Sequence, residues 1–211
     1  MSEIVTEVSL KVLPTPERAA CIMIDGLDDS QAIAAMARAL RSPFEVSGAA
    51  HLPNGMGDGP VTMLRIEGFS GSVRYRAEQL AALFADMGTR IESDADGVAE
   101  HWAQIRDVAP FHGTPGDVWR VSGRPTTGAD LARRSGAKAV MYDWGGGLIW
   151  MSVPEGTDLR ARLGDFDGHA TLVRGSGQPK FQPEPAELAA LSHGLRQRFD
   201  PRGILNTGLM G

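Results

Sequence analysis

The sequence predicts an α+β fold in which helices cover an antiparallel β-sheet. The order strand-helix-strand-strand-helix-strand runs over about residues 19–92, and the same order returns over about residues 117–174. One such unit is typical of a ferredoxin-like half, with its helices on one face of the sheet. The two units share no residue-level repeat, so the prediction of two consecutive ferredoxin-like (β-α-β-β-α-β) halves rests on element order.

The elements of the first half follow from hydrophobic spacing and from start and stop signals. Asp28 begins a helix in which apolar residues recur at three- and four-residue spacings, and Ser70 begins a second helix. The predicted elements are strands at 19–25, 44–50, 61–68 and 89–91, and helices at about 28–40 and 70–87. Alternating apolar residues at 3–13 predict one further strand, which Pro14 ends.

A linking helix and the second half follow. A capping signal at Ser93 to Asp96 predicts the linking helix over roughly 94–108. The elements after it are strands at 117–122, 138–144, 148–153 and 169–173, and helices at 126–134 and 157–163. The glycines at 145–147 precede an apolar strand, which favours a hairpin turn over a phosphate cradle because no helix N-terminus follows. A last helix ends before Pro201, and its apolar face consists of Leu188, Leu191, Leu195 and Phe199.

Composition and charge exclude several classes of protein. The net charge of −5 argues against a nucleic-acid-binding surface, because phosphate contacts need clustered Lys and Arg. No apolar run approaches the roughly 18 residues of a membrane-spanning helix, and the first residues lack a signal-peptide pattern. We therefore expect a cytoplasmic protein in which the single cysteine, Cys21, is a buried structural thiol. The five histidines form no metal-binding motif, so no metal site is predicted.

Polar residues at strand ends are the candidate site residues. His169 and Arg174 bracket the last strand, while Arg120 and Lys180 lie near other strand or loop ends. Arginine suits a carboxylate because its planar fork donates two parallel hydrogen bonds. The alternative interpretation is that these arginines are solvated and that His169 is structural. The tryptophans beside the glycine turn, Trp144 and Trp150, are interpreted as core or interface aromatics before substrate-stacking groups.

Four segments carry a resemblance to a known family. The last thirteen residues of the chain begin with the stretch Phe199-Asp200-Pro201-x-Gly203-Ile204-Leu205-Asn206-x-Gly208. This stretch is similar to the closing signature of FAD-linked oxidases of the vanillyl-alcohol oxidase superfamily. Residues 6–14 look like the entry into the cap domain of that family. Residues 142–147 and 168–175 most resemble the FAD-binding subunits of bacterial glycolate oxidases, and the resemblance spans almost the whole chain.

The resemblance implies a fold and an activity. It identifies residues 1–211 as the C-terminal cap domain of an FAD-linked oxidase, with the N-terminal FAD-binding domain absent from this chain. The implied reaction oxidises a 2-hydroxy acid, glycolate to glyoxylate, by hydride transfer to flavin. Asn206, Thr207 and Gly208 are the implied FAD-side residues, and Arg174 and His169 the substrate-side candidates. FAD would be held mostly by the missing domain, so we expect the isolated chain to be inactive.

The resemblance also implies partners and leaves alternatives open. The implied partners are a second flavin subunit and an iron–sulfur subunit, which could hold a cytoplasmic protein at the inner membrane. Thr207 stands where the family tail usually has proline, and the metal-binding histidines of related D-2-hydroxyacid dehydrogenases are missing. One alternative is therefore a structural or assembly subunit of an oxidase complex. The other is a free-standing ferredoxin-like module that binds a small molecule.

Overall fold

The chain forms two compact units, which are described separately. The computed structural model describes residues 5–12, 14–55 and 59–205. The larger unit spans Pro16–Gln178, and the smaller unit combines Met1–Thr15 with Pro179–Gly211. Asn206, Thr207 and Gly208, the predicted FAD-side residues, lie outside the described residues.

The larger unit contains eight strands and five α-helices in its described residues. The strands are β1 (Arg18–Asp25), β2 (Val46–Leu52), β3 (Val61–Gly68), β4 (Thr89–Glu92), β5 (Asp117–Gly123), β6 (Ala139–Asp143), β7 (Leu148–Val153) and β8 (Gly168–Arg174). The helices are α1 (Asp29–Leu40), α2 (Ser70–Leu83), α3 (Ala95–Arg106), α4 (Gly128–Ser135) and α5 (Leu159–Leu163). This is the predicted element order, with boundaries within a few residues of those expected.

The eight strands form a single antiparallel sheet in the order β4-β1-β3-β2-β6-β7-β5-β8. The first four strands have the order expected of one ferredoxin-like half, and the last four repeat it as a second half. The two halves meet where β2 pairs with β6, at the residue pair His51 and Tyr142. The predicted α+β class with two ferredoxin-like halves is therefore confirmed.

The sheet has a different hydrophobic layer on each face, as the alternation of β1 illustrates. Ile22 and Ile24 belong to the large cluster that packs with α1, α2, α4 and α5. Cys21 and Met23 point to the opposite face and pack with Trp102 of α3. The linking helix α3 therefore covers the outer face of the first half. Cys21 is buried, as predicted, and burial raises the pKa of its thiol to about 11.

A buried polar cluster lies where the two halves join. His51 is fully buried, and its Nδ1 lies 2.9 Å from Thr62 Oγ1. Its Nε2 lies 3.5 Å from Oδ1 of Asp29, and the Tyr142 hydroxyl donates a 2.6 Å hydrogen bond to Oδ2 of the same carboxylate. These two partners lower the pKa of Asp29, His51 more than Tyr142. The cluster links α1, β2, β3 and β6 and so joins elements from both halves.

The smaller unit contains the last helix, α6 (Ala186–Phe199). The predicted helix and its end before Pro201 are confirmed, and Asp200 accepts hydrogen bonds from the backbone N–H groups of Ile204 and Leu205. The predicted strand at 3–13 is wrong for residues 5–12, which have no regular secondary structure. Alternation alone cannot make a strand, because a strand also needs a neighbour to complete its backbone hydrogen bonds.

Candidate functional site

The candidate site lies on the outer face of the second half, the face opposite α4 and α5. Along β5, Trp119 and Val121 are fully buried on the helix-covered face. Because successive side chains of a strand point to opposite faces, Arg120 and Ser122 project to the outer face. The register pairs Arg120 with Trp150 of β7 on one side and with Thr171 of β8 on the other. It pairs Ser122 with His169.

This register brings Arg120 and His169 close together. Residues directly opposite each other on antiparallel strands share a face, and diagonal neighbours lie roughly 7–8 Å apart. His169 is the diagonal neighbour of Arg120, since Arg120 pairs with Thr171 and Ser122 pairs with His169. His169 is exposed, and Arg120 is half-buried. The two residues therefore lie side by side on the outer face.

Trp144 forms the edge of this face in an unusual backbone conformation. Its φ is 53°, a left-handed value that is rare for a bulky side chain. Oδ1 of Asp143 accepts a 2.7 Å hydrogen bond from the Trp144 N–H, which fixes the start of the turn. The turn packs closely on α4, because a Cβ added to Gly128 would lie 2.8 Å from the carbonyl oxygen of Gly146. Such strained residues occur often at functional sites.

The indole of Trp144 is 57% exposed, and the guanidinium of Arg120 lies over it. The guanidinium carbon is 5.2 Å from the ring centroid, which is cation–π distance. Trp144 is therefore not a core residue, and its interpretation as an interface aromatic stays a prediction. Trp150 is half-buried and packs against the hydrophobic cluster under α3.

The outer face continues into the first half through Asp143 and Arg65. Burial raises the pKa of the Asp143 carboxyl, while the Trp144 N–H and the charge of Arg65 act in the opposite direction. Arg65 forms a 3.0 Å ion pair with Glu67 and stacks 4.7 Å from the ring centroid of Trp102. The charge of Arg65 is thus already partnered within the protein.

The structure does not bring the two predicted substrate-side residues together. Arg174 lies at the end of β8 and donates to the carbonyl oxygens of Phe111 and Thr114, at 2.8 Å and 2.6 Å, and to Thr114 Oγ1. It therefore ties the loop before β5 to β8. His169 is five residues away near the other end of β8, roughly 17 Å at about 3.3 Å per residue.

Sequence reasoning gave less weight to Trp144 and did not consider Asp143 as a site residue. The available signal was the run of glycines after Trp144, which indicates positive φ angles near that position. Of the other residues singled out, Lys180 belongs to the smaller unit. Among the described residues, no group of three or more His, Cys, Asp or Glu side chains could hold a metal ion. No helix in the described ranges is long and apolar enough to cross a membrane.

The chain is similar to glycolate oxidase subunit GlcE of Escherichia coli (strain K12). The two sequences are 29% identical over 209 residues, which are 98% of this chain and 53% of the relative. The chain thus spans about half the length of the curated relative it matches. The resemblance to a bacterial glycolate oxidase subunit is confirmed. No protein-family model matches the chain.

Proposed function

We propose that this chain is the cap half of an FAD-dependent oxidoreductase subunit that oxidises a 2-hydroxy acid, glycolate to glyoxylate. The observation that carries the proposal is the similarity to GlcE along 98% of the chain. The outer face of the second half supports it, because Arg120 and His169 lie on this face as diagonal neighbours. In the whole protein, this face would close over the substrate and exclude water.

In this proposal the described residues form the substrate side of the site, and the whole cofactor is not held by them alone. The glycines at 145–147 form no open pyrophosphate cradle, because a Cβ on Gly145 would lie 2.6 Å from Leu40 Cδ1. FAD, when bound, would supply the acceptor for the hydride that leaves the substrate α-carbon. The proposal places most FAD contacts in the part of the whole protein that this chain does not cover. Asn206, Thr207 and Gly208 are the contribution of this chain.

The substrate-side residues have distinct roles in this proposal. His169 on the outer face would hold the substrate hydroxyl by a hydrogen bond and take its proton when the hydride leaves. Arg174 would act at a distance, through the loop containing Thr114 that it anchors to β8. The outer face, not the end of β8, is therefore where we place the substrate.

The smaller unit supports the existence of a further domain in contact with it. Four apolar side chains on one face of α6 are 53–66% exposed: Leu188, Leu191, Leu195 and Phe199. An amphipathic helix normally buries such a face. We propose that the FAD-binding half of the whole protein covers it. The cytoplasmic location and the two partner subunits, one with flavin and one with iron–sulfur clusters, are part of the same proposal.

The test is to express the protein at the full length of its relative and examine it for a yellow chromophore. Bound flavin that is reduced on addition of glycolate supports the proposal. A well-folded, colourless full-length protein would refute the proposed function.

A second candidate, a structural or assembly subunit, is favoured by the exposed apolar face of α6. Substitutions of Arg174 and Asn206 in the assembled complex separate the two. Unchanged turnover with weakened subunit association would support the structural role. Lost turnover in an intact complex would support the catalytic role.

A further inference from the structure

We infer that Arg120 is the carboxylate-binding residue of the site and that Trp144 positions it. The ligand class is a small 2-hydroxy or 2-oxo monocarboxylate. This inference rests on the proposed function and adds to it the residue that recognises the acid group of the substrate. The environment of Arg120 differs from that of the other arginines.

Five arginines in the described part of the chain are buried or half-buried, and four of them have protein acceptors. Those four are Arg65 (with Glu67), Arg76 (with Glu45 and backbone carbonyls), Arg160 (with the Ala170 carbonyl) and Arg174 (with Phe111 and Thr114). Arg120 is half-buried, and its side chain has no hydrogen bond or ion pair to any described residue. Within the described ranges, its guanidinium contacts the ring face of Trp144.

A half-buried arginine whose side chain has no acceptor is unfavourable to the extent that burial removes water that would otherwise hydrogen-bond to it. Stacking on Trp144 compensates only partly, since it engages the flat face of the guanidinium and leaves its N–H edge free. That edge matches the two oxygens of a carboxylate in a bidentate pair. Arg120 therefore has the geometry of a residue that waits for an external anion.

The surroundings select for a small acid with one carboxylate. Arg65 and Arg174, two further half-buried arginines on the outer face, already have protein acceptors, so neither offers a second free guanidinium. In this inference His169, the diagonal neighbour on β8, would contact a polar group next to the carboxylate from the same face. A 2-hydroxy or 2-oxo acid has this arrangement.

Trp144 fixes the position of Arg120. The Trp144 backbone is held by Asp143 Oδ1, and the turn that follows packs against α4 at Gly128. The strained φ of 53° directs the indole outward, where Arg120 stacks on it. Stacking restricts a flexible side chain before the ligand arrives, which reduces the entropy lost on binding.

The experiment measures glyoxylate binding by calorimetry and glycolate turnover in the full-length flavoprotein within its complex. Arg120→Gln should raise the Kd for glyoxylate and the KM for glycolate by about 10- to 100-fold, as expected for lost charge-assisted hydrogen bonds. Arg120→Lys should recover part of this loss. Arg38→Gln is the matched control, because Arg38 also stacks on an aromatic ring, 5.2 Å from the ring centroid of Phe84. The Arg38→Gln protein should bind glyoxylate with an unchanged Kd.

Glycolamide, which has no carboxylate charge, separates recognition from folding. The unsubstituted protein should bind glycolate more tightly than glycolamide, and Arg120→Gln should abolish this preference while the flavin spectrum stays unchanged. Trp144→Ala should weaken glyoxylate binding, and Trp144→Phe should restore most of it. Retention of the preference for glycolate in Arg120→Gln would overturn the inference and leave the proposed function intact. Absence of both flavin and glyoxylate binding in the unsubstituted complex would overturn both.

Discussion

Removal of the Tyr142 hydroxyl should destabilise the larger unit at the joint between its halves. The hydroxyl donates a 2.6 Å hydrogen bond to Asp29, and Tyr142 is fully buried. Hydrogen bonds to charged groups contribute about 1.5–3 kcal/mol. Because the Asp29 side chain is 34% exposed, water can replace part of the lost bond, and we expect the lower end, about 1.5 kcal/mol, for Tyr142→Phe.

The effect should depend on pH in a definite direction. His51 and Tyr142 lower the pKa of Asp29 in the folded protein. A lowered carboxyl pKa contributes stability above the unfolded-state pKa of about 3.9, and this contribution is lost as the pH falls through the folded value. The difference between Tyr142→Phe and the unsubstituted chain should therefore be largest near neutral pH and shrink as Asp29 becomes protonated.

Urea unfolding of the 211-residue chain measures this difference. A loss of about 1.5 kcal/mol lowers the midpoint by roughly 0.5–1 M for an m-value of about 1.5–3 kcal/mol/M. Tyr75→Phe is the matched control, since Tyr75 is 60% exposed and should change stability by less than about 0.5 kcal/mol. Equal midpoints for the two variants at neutral pH, or a loss that does not shrink in acid, would refute the role assigned to the cluster.

Three further predictions concern the Trp144 turn and α6. Burial raises the pKa of the Asp143 carboxyl, so its ionisation lowers the stability of the folded chain as the pH rises through that raised pKa. The urea midpoint should therefore decline over this pH range. Asp143→Asn keeps the acceptor for the Trp144 N–H and should flatten the decline. Gly128→Ala should cost about 1–3 kcal/mol because its Cβ would lie 2.8 Å from the Gly146 carbonyl, whereas Gly71→Ala, with open space around it, should be neutral or slightly stabilising in the same unfolding assay. The double variant Leu191→Glu and Leu195→Glu changes two side chains that are 66% and 59% exposed. It should leave the urea midpoint of the 211-residue chain unchanged but reduce the flavin content of the full-length protein. Equal flavin content in the variant and the unsubstituted protein would contradict the docking of α6.

The element order could be predicted because its signals are local. The start of α1 is an example: Asp28 accepts from the Gln31 N–H, and the Gln31 side chain accepts from the Asp28 N–H, so the capping box lies within four residues of sequence. The end of α6 before Pro201 has an equally local cause. Such features need no knowledge of the rest of the chain.

The site could be predicted only in part because its geometry depends on strand register. His169 and Arg174 bracket β8 in the sequence, but the length of β8 keeps them apart. The closeness of Arg120 and His169 requires the pairing of β5 with β8, which joins residues about fifty positions apart. The positive φ of Trp144 is likewise set by packing of its turn against α4. None of these features can be derived from the spacing of residues within one element.

Two surfaces of the chain remain energetically incomplete, and they differ in chemistry. The outer face of the second half holds Arg120 without an acceptor among the described residues, whereas α6 exposes four large apolar side chains. A free-standing binding module accounts for the first surface and leaves α6 unexplained, while a purely structural subunit accounts for α6 and leaves the unpaired Arg120 unexplained. A cap half that closes over a small acid and docks on a flavin-binding half accounts for both. Because this chain matches 53% of GlcE, the relative is long enough to contain such a second half, which is why we prefer the oxidase proposal to either alternative.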